Sequence, residues 1–337
     1  MRTVWTPQGN NYTNTTNGLI ALRRPPSHYD PTHTTTLRNR FVSDMKRRFA
    51  NLRQVIIRTV AGEDCFGLLP QTNAYTPGKN AYRFLRSGDK VEAFLAWLQE
   101  MVNEGILDIH TWPQIGSSID QAWMNTYIDA AYRRGIHRGR SELRRAGYYV
   151  PGGVTQAALV AAFNSPFHAD RVGLLYTRVY HDLKGITEQM SMQISRLLAQ
   201  GMAEGLNPRE IAKRLVATID GADGDLSIID SLGRFIPAAR RAEMLARTEI
   251  IRSHHQAMMQ EYRNWSAEGV FVKAEWMTAG DHRVCGDCSE LEGRIFTLDE
   301  VENMIPLHPN CRCVALPVDV TDETRGLLYD DEEVEEW

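Results

Sequence analysis

The sequence predicts a mainly α protein, with an elongated helical region followed by a small α+β C-terminal domain built around a Cys/His cluster of zinc-knuckle-like spacing. Three observations carry this expectation. Apolar residues recur at steps of three and four through much of the chain between residues 37 and 265. One short run, Val-Phe-Val-Lys-Ala-Glu-Trp-Met at 270–277, switches to alternation and puts Val270, Val272, Ala274 and Trp276 on one face, as a strand requires. Four of the five cysteines then fall within 29 residues, beside a histidine.

Composition bounds the reading. A chain of 337 residues, 43% hydrophobic and 24% charged, can bury a core and hold two or three domains. No apolar run approaches the roughly 20 residues that span a bilayer, and Met-Arg-Thr-Val-Trp-Thr-Pro lacks the apolar heart of a secretion signal. A reducing cytosol is therefore expected, where clustered thiols serve as metal ligands more often than as disulfides. Cys65 stands alone and reads as a small buried hydrophobe. The net charge of −4 conceals an asymmetry: residues 1–60 hold ten Lys/Arg against Asp30 and Asp44, whereas 330–337 carry six acids and no base. Partners of opposite charge would suit the two ends; a solvated basic face and an unstructured acidic tail account for the same pattern.

Residues 1–36, rich in Thr, Asn and Pro, read as an extended basic arm. Phe41, Met45, Phe49, Leu52 and Ile56 then form the stripe of an amphipathic helix. Asp89 with Glu92 reads as a capping box before the apolar face Val91, Phe94, Leu95, Leu98 and Val102, with Gly105 as a left-handed C-terminal cap. A third helix is expected from about Ile119 to Ala146, aromatic and apolar first, then strongly basic: Arg133, Arg134, His137, Arg138, Arg140, Arg144 and Arg145. Arg133, His137, Arg140 and Arg144 share one face. Such a ridge can follow nucleic-acid phosphates or an acidic protein surface, and an ordinary solvated face reads the same way.

Tyr148 to Gly153 breaks the pattern, and a long helix comes next with Ile186, Met190, Ile194, Leu197 and Leu198 inward. Gly205-Leu-Asn-Pro-Arg-Glu210 reads as a sharp corner: Gly205 ends one helix, Asn207 caps the next, Pro208 fills its first turn, and Leu206 with Ile211 closes a hydrophobic staple. From about Pro237 to Trp265 a continuous seam runs through Met244, Thr248, Ile251, His255, Met258, Tyr262 and Trp265, with His255 as a core histidine. Glu243 and Arg247 stand four apart on this helix, the spacing of a local ion pair.

The cysteine spacing is C-x2-C-x19-H-x2-C-x-C, from Cys285 and Cys288 to His308, Cys311 and Cys313. A tight cysteine pair needs a second ligand group to close a tetrahedron around zinc, and His308-Pro-Asn-Cys311-Arg-Cys313 offers one. Only four positions exist, so Cys311 and Cys313 compete for the last. Asp281 can cap the turn ahead of the knuckle. Arg283, Arg294 and Arg312 stand close enough in sequence to offset thiolate charge or bond the ligands. The site would pin the 270–277 strand to the returning segment 314–317. Reduced thiols packed in a small core are the plainer alternative.

These residues also carry a family resemblance. Ala246-Arg-Thr-Glu249, Tyr262, Trp276, Asp281-His-Arg-Val-Cys-Gly-Asp-Cys288, Leu291-Glu-Gly293, Phe296, His308-Pro-Asn-Cys-Arg-Cys313 and Pro317 resemble, in kind and order, the landmarks of the phage Mu F-like minor head, or head morphogenesis, proteins. The resemblance covers about 165–318. It implies a minor structural component of a tailed-phage virion, placed at or near the portal vertex during prohead assembly and handled in the host cytoplasm before that. It further implies portal, major capsid or scaffold protein as partners. The charge of the basic helix and arm, read by itself, offers packaged DNA as another contact, and the lack of a long apolar run predicts no membrane. The segments expected are an arm (1–36), an N-terminal helical region (37–150), a helical hairpin region (151–236), the Mu F-like domain with the cluster (237–320) and an acidic tail (321–337).

Catalysis is not expected. The H-x-E preceding P-C-x-x-C of zinc deaminases and the H-E-x-x-H of zincins are both missing. A zinc-knuckle nuclease of the His-Asn-His kind is the rival, because Asp281-His282 and His308-Pro-Asn310 flank the cysteines. There, however, the Asp-His pair comes after the first knuckle, whereas here it precedes it.

Overall fold

The computed structural model describes residues 30–68, 87–107, 122–221, 236–266 and 272–318, together with short strand segments between residues 3 and 20. Those segments form two antiparallel ladders, β1 (Thr3–Trp5) with β2 (Asn11–Thr13) and β3 (Thr15–Thr16) with β4 (Leu19–Ile20), where the sequence suggests no regular structure. The rest of the arm to residue 29, the start of the third expected helix, and the acidic stretch beyond 318 lie outside the described residues. The chain forms two compact units, each assembled from separated stretches.

One unit comprises residues 39–125 and 176–246. It contains most of α1 (Thr35–Ile57) and all of α2 (Ser87–Val102) and α6 (Pro208–Asp220), with the later part of α5 (Pro166–Ala203). The α1 stripe is buried throughout, from Phe41 to Ile56, and Phe94, Leu98 and Val102 of α2 are fully buried. Cys65 is buried, and burial pushes its thiol up to about 12, as befits a packed hydrophobe. Asp89 lies inside the first turn of α2 and does not cap it. Gly105 is not a left-handed cap either: α2 continues into a π-helical turn at Asn103–Leu107, whose Gly105 carbonyl accepts from Arg48 (2.8 Å). A donating side chain satisfies the helix end in place of the glycine conformer. The corner at 205–208 forms as expected. Gly205 is left-handed, Asn207 Oδ1 accepts from Glu210 N–H (3.0 Å), and a Cβ on Gly201 would meet both Ile211 and Leu206.

The other unit comprises residues 1–38, 126–175 and 247–337. Its centre is α7 (Ala238–Ser266), which departs from the single seam expected of it: from Glu249 through Tyr262 nearly every residue is buried, polar ones included. A helix enclosed on all sides needs neighbours that approach closely, and α3 (Asn125–Arg145) supplies one through Gly135 and Gly139. A Cβ on Gly135 would lie 2.3 Å from the His254 carbonyl oxygen and 2.6 Å from Ala257 Cβ. Gly135→Ala should therefore cost about 2 kcal/mol or more, read from the urea midpoint, because backbone must move. Gly139→Ala, whose nearest contacts are 3.2 Å away, should cost less.

Against α7 packs a three-stranded antiparallel sheet in the order β6 (Ile295–Thr297), β5 (Lys273–Met277), β7 (Val314–Pro317). Met277 pairs with Val314 and Ala274 with Pro317, so the expected strand does meet the returning segment. Trp276 is fully buried and lies edge-on to Phe296 (centroids 6.3 Å apart). His255 is the core histidine expected, its Nε2 3.1 Å from the Val301 carbonyl and its basicity lowered to about 4 by burial.

The arm ends earlier than the sequence suggests. Asp30 accepts hydrogen bonds from Thr32, Thr34, Thr35 and Arg38, folding 30–34 into a cap ahead of α1. Burial alone would raise the Asp30 carboxyl; the Arg38 guanidinium and the threonine hydroxyls outweigh it and hold the group at about 2. A carboxyl depressed below its unfolded value of about 3.9 stabilises above that pH and loses the contribution as pH falls toward 2. Asp30→Asn should thus lower stability by up to about 2 kcal/mol at pH 7, allowing for partial solvent screening. Thermal unfolding at pH 7 and near pH 2 should show the gap closing in acid.

Candidate metal centre

The cluster is assembled from two turns, one between β5 and β6 and one leading into β7. In the first, Cys285 caps α8 (Gly286–Glu290): its sulfur accepts from the Cys288 amide (3.4 Å), which folds C-x-x-C into a knuckle. The capping box at the next short helix, α9 (Leu298–Val301), with Thr297 and Glu300, fixes where the chain turns back. The second turn carries His308, Cys311 and Cys313. Asn310 there is left-handed (φ 63°), its amide donates to Thr248 Oγ1 (3.1 Å), and Arg247 reaches its side-chain oxygen (3.5 Å). The Arg-Thr pair that opens the buried part of α7 is therefore what positions the His-Pro-Asn loop. Helical spacing pairs Arg247 with Glu243 and gives no sign of this long-range contact.

His308 Nε2 stands 3.2 Å from both Cys285 Sγ and Cys288 Sγ. Its Nδ1 is 2.9 Å from the Pro309 carbonyl, which only accepts, so Nδ1 carries a proton and Nε2 is the nitrogen turned toward the thiols. Among the described residues, two groups have donor atoms within 4.8 Å of one another: Cys285, Cys288 and His308, and Cys288, Cys311 and Cys313. Cys288 belongs to both. Cys288, Cys311 and Cys313 are buried, whereas Cys285 and His308 sit at the rim. The set fits a tetrahedral ion: bond lengths of about 2.3 Å to sulfur and 2.0–2.1 Å to nitrogen imply an S···N edge of roughly 3.6 Å, close to the spacing seen. Five donors surround four positions, and both Cys311 and Cys313 remain within reach. With protons on the sulfurs, Cys313 donates to Cys311, which raises the Cys313 thiol and lowers that of Cys311; burial first, then Cys311, raises Cys288.

The arginines take on other contacts, and Arg312 keeps the electrostatic role expected as well. Arg312 grips Asp281 through both terminal nitrogens (2.7 and 2.5 Å), and Arg283 adds its amide (3.0 Å) and a side-chain bond. The Asp281 carboxyl, which caps this turn as its position suggests, is held far below its usual range by the Arg312 bond above all. Arg294 lies over the Phe296 ring instead. Arg312 is still near enough for its charge to attract Cys313.

The basic face of α3 is only partly available. Arg140 is buried: it pairs with Glu261 (3.1 Å) and donates to the Gly153 and Pro151 carbonyls (2.7 and 2.5 Å). Arg138 is mostly covered and pairs with Glu142 (2.6 Å). Both leave the expected contact ridge, because burying a guanidinium demands that its donors be satisfied inside. Arg133, Arg134, His137, Arg144 and Arg145 remain exposed.

A family model described as Phage Mu protein F like protein matches residues 192–316. The protein is Mu F-like over that stretch. Comparison with curated proteins and with solved structures finds no match. The Mu F-like match ends at Leu316, within β7, so it takes in the whole Cys/His cluster. It supports a phage head morphogenesis protein that works with other head components and is associated with the virion. Among the described residues, no helix is long and apolar enough to cross a membrane.

Proposed function

We propose that the protein is a non-catalytic minor component of a tailed-phage head, acting at or near the portal vertex during prohead assembly, with zinc closing the Cys/His cluster as a structural clamp. The observation that carries the proposal is the Mu F-like match over 192–316, which brings together the cluster and the α7 segment that positions it. Zinc suits the donor set because thiolate and imidazole together favour it over hard cations. Residues Cys285, Cys288 and His308 with Cys311 or Cys313 would hold it; it would supply cross-linking of the two turns and no reactive position. Local geometry favours a structural reading over a nuclease. Both nitrogens of His308 are engaged, and Asp281 is locked by Arg312, so neither is placed to move a proton.

The test is to locate the protein in purified particles by electron microscopy with a tagged chain. Density at the portal vertex is expected; a chain lost from particles on purification, or spread over the whole shell, would refute the placement. Incubation of the full chain with DNA and divalent metals addresses chemistry separately. Metal-dependent cutting abolished by His282→Ala would overturn the non-catalytic reading.

A further inference from the structure

Helix α4 (Gln156–Phe163) is almost wholly apolar, Gln-Ala-Ala-Leu-Val-Ala-Ala-Phe, yet none of its residues is buried. A helix apolar on all sides is ordinarily enclosed. It lies alongside α3. At one end the Arg144 guanidinium approaches Gly153, and at the other Arg133, which also pairs with Asp129, stacks on the Phe163 ring, 3.5 Å from its centroid. Phe167, just beyond, is 68% exposed. The groove between the two helices thus has an apolar wall and a wall of exposed cations, Arg133, His137 and Arg144. Near Arg144 it opens into a cleft of about 480 Å³ lined by Tyr148, Tyr149 and the turn at 152–155.

The polypeptide leaves the described fold at this cleft. The Val318 carbonyl lies 3.5 Å from the Tyr148 hydroxyl, and the Val318 amide donates to the Lys273 carbonyl (3.0 Å). The downstream sequence is complementary to both walls: Leu327-Leu328-Tyr329, then Asp-Asp-Glu-Glu-Val-Glu-Glu-Trp at 330–337. We propose that residues 327–337 dock in cis in the α3–α4 groove, carboxylates toward Arg144, His137 and Arg133, and leucine and tryptophan side chains on α4. Reach is sufficient. The intervening eight residues, 319–326, span up to roughly 26 Å when extended, and α3 from Arg133 to Arg144 rises about 16 Å. Tethering presents the acidic segment at an effective concentration on the order of millimolar, enough for a modest charge-assisted contact. A docked segment covers the cations that face solvent, so any outside polyanion must displace it. This inference stands on the groove and the charge pattern and is independent of the metal.

Fluorine NMR of the full chain grown with fluorotryptophan tests it, with the Trp337 line assigned by Trp337→Phe. At low salt that line should be displaced and broadened relative to its position in about 1 M NaCl, where charge attraction is screened. Arg133→Glu with Arg144→Glu should bring it to the high-salt position, and adding Glu332→Arg and Glu333→Arg should restore it. Glu332→Arg with Glu333→Arg alone leaves the folded surface untouched and should also release the line, which guards against a misfolded groove variant. A Trp337 line already narrow at low salt and unmoved by these changes would overturn the proposal. So would a displacement lost on roughly tenfold dilution, which would place the segment on another copy, since a cis contact does not depend on concentration.

Discussion

Cys288→Ser is expected to unfold the sheet and its two flanking turns, with loss of the near-ultraviolet dichroism of Trp276 and rapid amide exchange in β5 and β7. Cys288 is the one donor shared by both thiol groups, and it is buried. A structural zinc site contributes roughly 10 kcal/mol or more of apparent folding free energy, comparable with the whole stability of a typical domain, about 5–15 kcal/mol. Losing a central ligand is therefore expected to exceed the margin. Cys285→Ser, at the rim, should be milder. Because five donors would compete for the four positions of a tetrahedral ion, one of Cys311→Ser and Cys313→Ser should be tolerated and the other should behave like Cys288→Ser. Equal tolerance of all of these substitutions, judged by exchange at β5, would mean that no ion holds the turns.

Glu261→Ala should be the most damaging single change outside the cluster. Glu261 is fully buried on α7 and accepts from Arg140 (3.1 Å) and from His168 Nε2 (3.0 Å), whose other ring nitrogen meets the Tyr132 hydroxyl (2.9 Å). This network ties α3, α5 and α7 to the turn at 151–153, since Arg140 also bonds the Gly153 and Pro151 carbonyls. Removing the carboxylate strands a buried guanidinium and histidine, and breaking one side of a buried ion pair costs about 3–5 kcal/mol. At roughly 2–4 °C per kcal/mol for a unit of this size, the unfolding midpoint should drop by about 10 °C in calorimetry. Glu261→Gln, which keeps shape and an acceptor, should lose less. A midpoint unchanged in Glu261→Ala would show that the network contributes no net stability.

Much of the fold is legible in the sequence because it rests on local rules. The α1 stripe, the Gly205–Pro208 corner and the β5 alternation are readable in spacing alone, and each forms in place. The pairing of β5 with β7 is expected from the cysteine spacing, which leaves few ways to close two turns on one ion. Sequence does not show which charged residues go inside. Arg140 looks like its neighbours on α3, and only the arrival of Glu261, 121 positions away, makes its burial tolerable. The same holds for Arg247 and Thr248, whose partner Asn310 comes from a distant loop. α7 reads as a helix with one seam because its buried polar residues, Glu249, His254 and Glu261 among them, mimic a solvated face. The two glycines that let α3 approach are the signal that the far side is covered too.

One ion is expected to clamp the knuckle to the His-Pro-Asn-Cys loop and thereby rigidify the end of the Mu F-like region. Native mass spectrometry of the intact chain, purified without added metal, tests it most directly when paired with amide exchange before and after chelation. A mass excess of one zinc per chain is expected, with β5 and β7 losing protection together when the metal is stripped. A chain that carries no metal, yet keeps those amides protected with Cys285, Cys288, Cys311 and Cys313 all replaced by serine, would contradict it.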